Sequence, residues 1–147
     1  MSVEQIILLV EDNDDDAELT LMAFKAARIS NTFVRVRDGV EALDYLFARN
    51  AYADRNLQDV PAVILLDLNL PRLGGLEVLS AIRAGEHTKH LPVVVLTSSD
   101  EETDRIAAYR QYVNSYVRKP VDYDQFTLAA RQLGLYWLVL NRPAPVP

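Results

Sequence analysis

The chain of 147 residues has 21 acidic and 15 basic side chains, a formal net charge of −6, and no cysteine. This length predicts one domain over residues 1–147, and the lack of cysteine excludes a disulfide scaffold, a thiol nucleophile and a cysteine-based metal site. The acidic balance argues against nucleic acid as a partner, and we find neither a signal peptide nor a membrane-spanning apolar stretch. We therefore expect a cytoplasmic single-domain protein.

Short apolar runs of strand length alternate along the chain with segments whose apolar residues recur at helical spacing. In chain order this pattern predicts strand 5–10, helix 17–27, strand 33–36, helix 40–47, strand 62–66, helix 76–82, strand 92–96, helix 100–111, strand 115–118 and helix 122–140. A polar connection, 48–61, separates the second helix from the third strand. We expect residues 5–140 to form the core and the proline-rich tail, 141–147, to be disordered.

The fivefold alternation of strand and helix predicts an α/β fold. Strands that are apolar on both faces are typical of a parallel sheet with helices on each side, a doubly wound arrangement. Five units without a sixth strand favour the flavodoxin-like strand order 2-1-3-4-5 over the Rossmann order. We also expect Ser98, Ser99 or Asp100 to cap the fourth helix.

The carboxyl ends of the predicted strands deliver side chains that can do chemistry, and ligands bind at this edge of a doubly wound sheet. Strands 1, 3, 4 and 5 deliver three carboxylates, an amide, a hydroxyl and an ammonium there: Glu11, Asp12, Asp67, Asn69, Thr97 and Lys119. Three neighbouring carboxylates require a cation to stay ionised, and their hard oxygens suit Mg²⁺. An aspartate can attack phosphorus, and a nearby lysine and hydroxyl would stabilise the transferred group.

Simpler explanations exist for some acids and for the lysine taken alone. Glu11, Asp12 and the acids at 14–16 suit the cap and first turn of a helix, where the helix dipole favours negative charge. Asp67 alone is typical of a turn before Pro71, and Lys119 alone of a solvated strand end. Their coincidence at one sheet edge is what favours a functional site.

The two histidines and the loop after the first strand give no sign of a further catalytic or nucleotide-binding site. His87 and His90 lie in a polar connection and are predicted to be surface residues without a catalytic role. No glycine-rich loop follows the first strand, which argues against dinucleotide binding and against a P-loop.

Four sequence segments together resemble the receiver domain of two-component response regulators. They are 8–12 (LLVED), 65–71 (LLDLNLP, followed by Gly74 and Gly75), 95–97 (VLT) and 116–120 (YVRKP), in the order and spacing of that family. The resemblance covers residues 5–135. It implies that the chain accepts a phosphoryl group on Asp67 from a histidine kinase and switches conformation to signal.

The same resemblance implies the ligands of a magnesium ion. Asp12 and Asp67 would coordinate Mg²⁺ together with the backbone carbonyl of Asn69. Glu11 would assist, through a water molecule.

It also implies the parts of the switch. Thr97 would move to bond the phosphoryl group, Tyr116 would swing inward as the switch aromatic, and Lys119 would pair with the phosphoryl oxygens. The peptide bond before Pro120 would be cis. An ordinary half-buried aromatic is the alternative interpretation of Tyr116.

Two departures from the common receiver pattern point to a subgroup of the receiver family. The connection 48–61 is longer than usual, and only a short segment follows Lys119, so we expect no output domain. With a last helix that contains Leu135-Tyr136-Trp137, these features resemble the single-domain regulators paired with bacterial phytochrome kinases. The expected partner is therefore a bacteriophytochrome histidine kinase.

The last helix also predicts self-association. From Leu133 onward it is apolar nearly all round, which is more than one domain can cover, and Tyr and Trp are enriched at interfaces. We expect a homodimer through helix 4, strand 5 and helix 5, with Tyr136 and Trp137 at the interface. The alternative is that this end packs back on its own domain or is covered by the tail from Pro143.

Two other functions compete with that of a phosphorylation-switched module. An aspartyl-phosphate phosphatase of the haloacid dehalogenase type has a second carboxylate two positions after its nucleophile, where this chain has Asn69. A pseudo-receiver that only binds partners would have lost acids or the lysine, and none is lost. We therefore expect no enzyme beyond Mg²⁺-dependent self-phosphorylation and slow self-dephosphorylation.

Overall fold

Five parallel strands form the centre of the molecule, whose computed structural model describes residues 5–29, 31–98, 101–119, 123–140 and 145. The strands are β1 (Ile7–Val10), β2 (Phe33–Val36), β3 (Val63–Leu66), β4 (Val93–Thr97) and β5 (Ser115–Arg118). They pair in the order β2-β1-β3-β4-β5. The flavodoxin-like order predicted from the sequence is confirmed.

Helices follow the strands in alternation. They are α1 (Asp14–Ala26), α2 (Gly39–Leu46), α3 (Gly75–Ala84), α4 (Glu102–Arg110) and α5 (Tyr123–Gly134). A short 3₁₀ turn, Asn50–Tyr52, lies in the predicted polar connection, and a π-helical segment, Leu135–Leu140, follows α5. Within the described part of the chain, every helix is too short or too polar to cross a bilayer.

The sheet is buried on both faces, which explains its continuous apolar strands. Alternate residues of a strand point to opposite faces. In β1, Leu8 and Val10 join the core formed with α2 and α3, whereas Ile7 and Leu9 join the core formed with α1 and α5. α4 adds one buried residue, Ala108, to the first of these cores. The two layers of helices hold all five strands with their carboxyl ends at one edge.

α1 begins earlier than the pattern predicts. Its first residue is Asp14 rather than Ala17, and Asn13 is the N-cap, with a side chain that accepts a hydrogen bond from the backbone N–H of Asp16 at 2.9 Å. Acids in a first turn are stabilised by the helix dipole but interrupt an apolar periodicity. The prediction that the acids at 14–16 belong to a helix start is thus confirmed, while the boundary was wrong.

The predicted cap of α4 was also wrong. The N-cap residue is Glu101, and its side chain makes no capping hydrogen bond. A longer glutamate is a poorer N-cap than the serine or aspartate that we expected. Two of the predicted caps, Ser99 and Asp100, lie outside the described residues.

The last helix is not continuous to residue 140. Its α-helical part ends at Gly134, and Leu135–Leu140 is π-helical. A Cβ built on Gly134 would lie 1.9 Å from Cδ1 of Ile29, so the helix is pressed against the loop after α1 at this point. Glycine also weakens a helix interior. The change of helix type therefore coincides with a close contact that the sequence does not reveal.

Candidate functional site

Three carboxylates meet where β1 and β3 end. The two strands pair with Val10 opposite Leu66, so the residues that follow them are neighbours. Among the described residues, carboxylate oxygens of Glu11, Asp12 and Asp67 all lie within 4.8 Å of one another. Glu11 and Asp67 are buried, and Asp12 is exposed. The structure thus places three hard oxygen donors together, a set that can hold a divalent cation.

The backbone around Asp67 is fixed from both sides. Its N–H donates to the carbonyl of Val10 at 3.1 Å, and its Oδ1 accepts from the backbone N–H of Asn69 at 3.0 Å. The turn then closes, since the N–H of Gly75 donates to the carbonyl of Leu68 at 3.0 Å. A Cβ on Gly75 would lie 2.3 Å from the carbonyl oxygen of Asp67, so the start of α3 presses on this loop and only glycine fits.

Lys119 reaches this cluster from the end of β5. Its backbone N–H donates to the carbonyl of Thr97 at 2.7 Å. Its Nζ donates to Oδ2 of Asp67 and to Oδ2 of Asp16, each at 2.9 Å, and to Oε1 of Glu11. The ammonium is nearly buried among three acids, which is the arrangement that makes a buried charge tolerable.

Burial and the neighbouring charges together shift the pKa of Glu11 and of Lys119. Burial raises the pKa of Glu11 to about 7, against the opposing hydrogen bond from Lys119 and with a further rise caused by the neighbouring Asp67. Burial disfavours the charged form of Lys119, but the hydrogen bonds to Glu11, Asp16 and Asp67 outweigh it and raise the pKa of the lysine above its ordinary value. Lys119 is therefore cationic at neutral pH, and the Glu11 carboxyl takes up a proton near neutral pH.

Thr97 and Tyr116, the two residues expected to form the switch, differ in burial. Thr97 is the last residue of β4 and is fully buried. Tyr116 lies in the middle of β5, is half-buried, and packs against the core on the α4 side. With Ile106 and Tyr109 of α4 it lines a shallow groove on that face. Pro120, whose peptide bond was predicted to be cis, lies outside the described residues.

A family model described as the response regulator receiver domain matches residues 7–131 of the chain. The chain belongs to the response regulator receiver family. By sequence, this receiver is 40% identical over 141 residues to a probable methanogenesis regulatory protein, FilR2, of Methanothrix harundinacea, with 95% of this chain and 88% of that protein covered. It is 37% identical over 134 residues to the response regulator Rcp1 of Synechocystis, with 91% and 89% covered.

Several solved structures that are similar to this receiver are described as phytochrome response regulators. The phosphorylated cyanobacterial phytochrome response regulator RcpA matches with a TM-score of 0.87 at 36% identity, covering 95% of this chain and 98% of that one. The bacteriophytochrome response regulator RtBRR matches with a TM-score of 0.78 at 49% identity, covering 96% and 84%. The Mn²⁺-bound form of Rcp1 matches with a TM-score of 0.85 at 35% identity, covering 95% and 99%. The predicted resemblance to single-domain, phytochrome-associated regulators is confirmed.

Two residues that the sequence analysis did not assign to the site contact it in this receiver. Asp16 binds Lys119, as described above. Arg35 of β2 donates from Nε and Nη2 to the carbonyl of Glu11 at 3.1 and 3.0 Å, and from Nη1 to Asp14 at 2.8 Å. The one available signal was an arginine inside the otherwise apolar strand 33–36. Its contacts fix the loop that carries the acids of β1.

The prediction that His87 is an exposed surface residue holds only in part, since the residue is half-buried. Its Nε2 donates to the carbonyl of Leu46 at 2.9 Å, and its ring packs edge-on against Phe47, with 5.2 Å between ring centroids. The last carbonyls of a helix have no partner within it, and this imidazole supplies one at the end of α2. His90 is exposed, as predicted.

Proposed function

We propose that Asp67 of this receiver accepts a phosphoryl group from the phosphohistidine of a sensor kinase. The observation that carries the proposal is the buried Asp67 carboxylate, hydrogen-bonded to the Lys119 ammonium at 2.9 Å within a cluster of acids. In the transfer, a carboxylate oxygen forms a bond to phosphorus as the bond from phosphorus to the imidazole nitrogen breaks. The electron pair of the broken bond stays on the imidazole. Lys119 then balances the added negative charge.

The metal that we propose for this site is Mg²⁺. Asp12 and Asp67 would hold it with the backbone carbonyl of Asn69, and Glu11 would assist through water. The fit is supported by three oxygen donors within 4.8 Å of one another, since oxygen ligands with room for water suit this ion. When bound, the ion would supply positive charge against the acids and the phosphoryl oxygens.

We propose that the response passes from Thr97 to Tyr116. The buried hydroxyl of Thr97 lies at the end of the strand next to β3, which leads into Asp67. Its movement toward the phosphoryl group would leave space into which Tyr116 rotates. The groove between Tyr116 and α4 would then change shape, and α4 is suited to this because it buries only one residue.

The partner that we propose is a bacteriophytochrome histidine kinase, and the place of the exchange is the cytoplasm, where the ATP that charges such a kinase is made. The support is the similarity to RcpA and RtBRR, whose names connect them with phytochromes.

We propose that the chain hydrolyses its own phosphoryl group slowly, since Asn69 cannot act as a general acid.

We also propose a homodimer through α4, β5 and α5. Tyr136 is 50% exposed and Leu128 is 55% exposed, so apolar surface is available on α5 and beyond it. Trp137 and Leu138 are partly buried against the core of their own domain. For those two residues this fits the alternative interpretation, that the end of the helix packs back on its own domain. Tyr136 is accordingly the residue that we place in the interface.

The test of the kinase is phosphotransfer from a purified bacteriophytochrome labelled on its histidine. With Mg²⁺ present, we expect the label to leave the kinase and to appear on the wild-type receiver. Asp54→Asn, a matched control at an exposed position, should accept the label as the wild type does. We expect no transfer of label to Asp67→Asn and little transfer to the wild type in excess chelator. Transfer to Asp67→Asn at the wild-type rate would refute the proposed acceptor.

A further inference from the structure

The Lys119 ammonium has as many acid partners as it has protons. An ammonium offers three N–H donors and no acceptor. In the structure these donors meet Glu11, Asp16 and Asp67. A phosphoryl oxygen on Asp67 would need a donor from this same ammonium. A phosphoryl oxygen that binds this ammonium must therefore take a donor from one of these three acids.

Asp16 is the partner that leaves most easily. Its side chain is 43% exposed, whereas those of Glu11 and Asp67 are 3% and 7% exposed. An exposed carboxylate regains water when its ion pair breaks, but a buried one loses its opposite charge without regaining water. Asp16 also stands apart from the acids at the ends of β1 and β3, because it lies on the first turn of α1.

The contact of Asp16 with Lys119 is also directed by the helix. The backbone N–H of Asp16 donates to the side chain of Asn13 at 2.9 Å, and its carbonyl accepts from the hydroxyl of Thr20 at 2.9 Å. These bonds fix the backbone of Asp16, so the carboxylate is presented to Lys119 from a rigid turn. The ion pair can thus break by rotation of one side chain without disturbing α1.

We propose that Asp16 is a positioning residue that occupies one donor of Lys119 in the unphosphorylated protein and is displaced by the phosphoryl oxygen. It competes with the phosphoryl group for the lysine and so weakens the phosphorylated state. This inference rests on the proposed function of Asp67. It identifies Asp16, an acid on α1 rather than at the sheet edge, as a residue that lowers the stability of the phosphorylated state.

The test uses beryllofluoride, a non-covalent phosphoryl analogue, titrated into the full chain at saturating Mg²⁺ and followed by backbone amide NMR. We expect Asp16→Ala to bind the analogue about three- to tenfold more tightly than wild type, the size expected for one charge-assisted hydrogen bond at a partly exposed site. Asp15→Ala is the matched control, because it removes the same charge from the neighbouring exposed position. It should change the affinity less than twofold, by the weak effect of screened surface charges.

A conservative variant separates competition from a structural effect. Asp16→Glu keeps an acceptor within reach of Lys119 and should retain the wild-type affinity. Equal affinities of Asp16→Ala and Asp15→Ala, or weaker binding by Asp16→Ala, would overturn the inference while leaving Asp67 as the acceptor. Failure of the wild type to bind the analogue would instead overturn the proposed function together with this inference.

Discussion

Lys119 and Asp67 meet across a strand: Nζ of the lysine lies 2.9 Å from Oδ2 of the aspartate, although β4 separates their strands in the sheet. The contact joins the end of β5 to the end of β3. Any group added to Asp67 therefore changes a bond that holds β5, the strand that carries Tyr116. We therefore expect the lysine to have two functions, which are to balance the charge of the phosphoryl group and to transmit the change to β5.

Replacement of Lys119 by alanine should uncouple phosphorylation from the conformational response. We expect Lys119→Ala to be phosphorylated by a small phosphodonor at a reduced rate, because the acids remain in place. The conformational change should be lost, since the link from Asp67 to β5 is gone. Amide NMR of β5 and α4 before and after phosphorylation measures it. Shifts equal to those of the wild type would refute the transmitting role.

The pH dependence of stability should report the buried Glu11. In metal-free protein its folded pKa is about 7 against 4.5 for the free group. The folded state therefore holds this proton more tightly, so its contribution is fully present below pH 4.5 and is lost as pH rises toward 7. The free energy of unfolding should fall by up to about 3 kcal/mol over this range.

Urea unfolding at both ends of that range, in excess chelator, measures the effect. Glu11→Gln should remove most of the fall, whereas Glu18→Gln, at an exposed position of α1, should keep it. An unchanged pH dependence in Glu11→Gln would show that another group is responsible.

Two adjacent glycines offer a matched pair for testing the loop after β3. A Cβ on Gly75 would lie 2.3 Å from the carbonyl oxygen of Asp67, whereas a Cβ on Gly74 would meet no described atom within 4 Å apart from its chain neighbours. We expect Gly75→Ala to lower the free energy of unfolding by about 1–3 kcal/mol and to slow phosphorylation, because the loop must shift. Gly74→Ala should change stability by less than about 1 kcal/mol. Equal stabilities of the two variants would contradict the close contact.

The order of the strands and the meeting of the acids followed from the sequence, because both depend on patterns within short segments. Apolar runs predicted buried parallel strands, and carboxyl ends of parallel strands share an edge. The contact of Asp16 with Lys119 and that of Arg35 with Glu11 join residues far apart in the chain, and no local pattern contains them. The end of α5 likewise coincides with the approach of Ile29 to Gly134, which are far apart in the chain.

Self-association should depend on Tyr136. We expect light scattering after size exclusion, at about tens of micromolar, to give a dimer for wild type and a monomer for Tyr136→Asp, since a charge at an apolar interface is costly. Leu57→Asp, at another exposed apolar position, should remain dimeric. A wild-type monomer with and without phosphorylation would end this hypothesis.

The identity of the phosphorylated residue is the measurement that bears most directly on the account. Wild-type protein is incubated with a small phosphodonor and Mg²⁺, and the modified residue is mapped by mass spectrometry. We predict a single phosphoryl group on Asp67, its loss in Asp67→Asn, little labelling in excess chelator, and wild-type labelling of Asp54→Asn. Stable labelling of Asp67→Asn, or full labelling without the metal, would contradict the central claim.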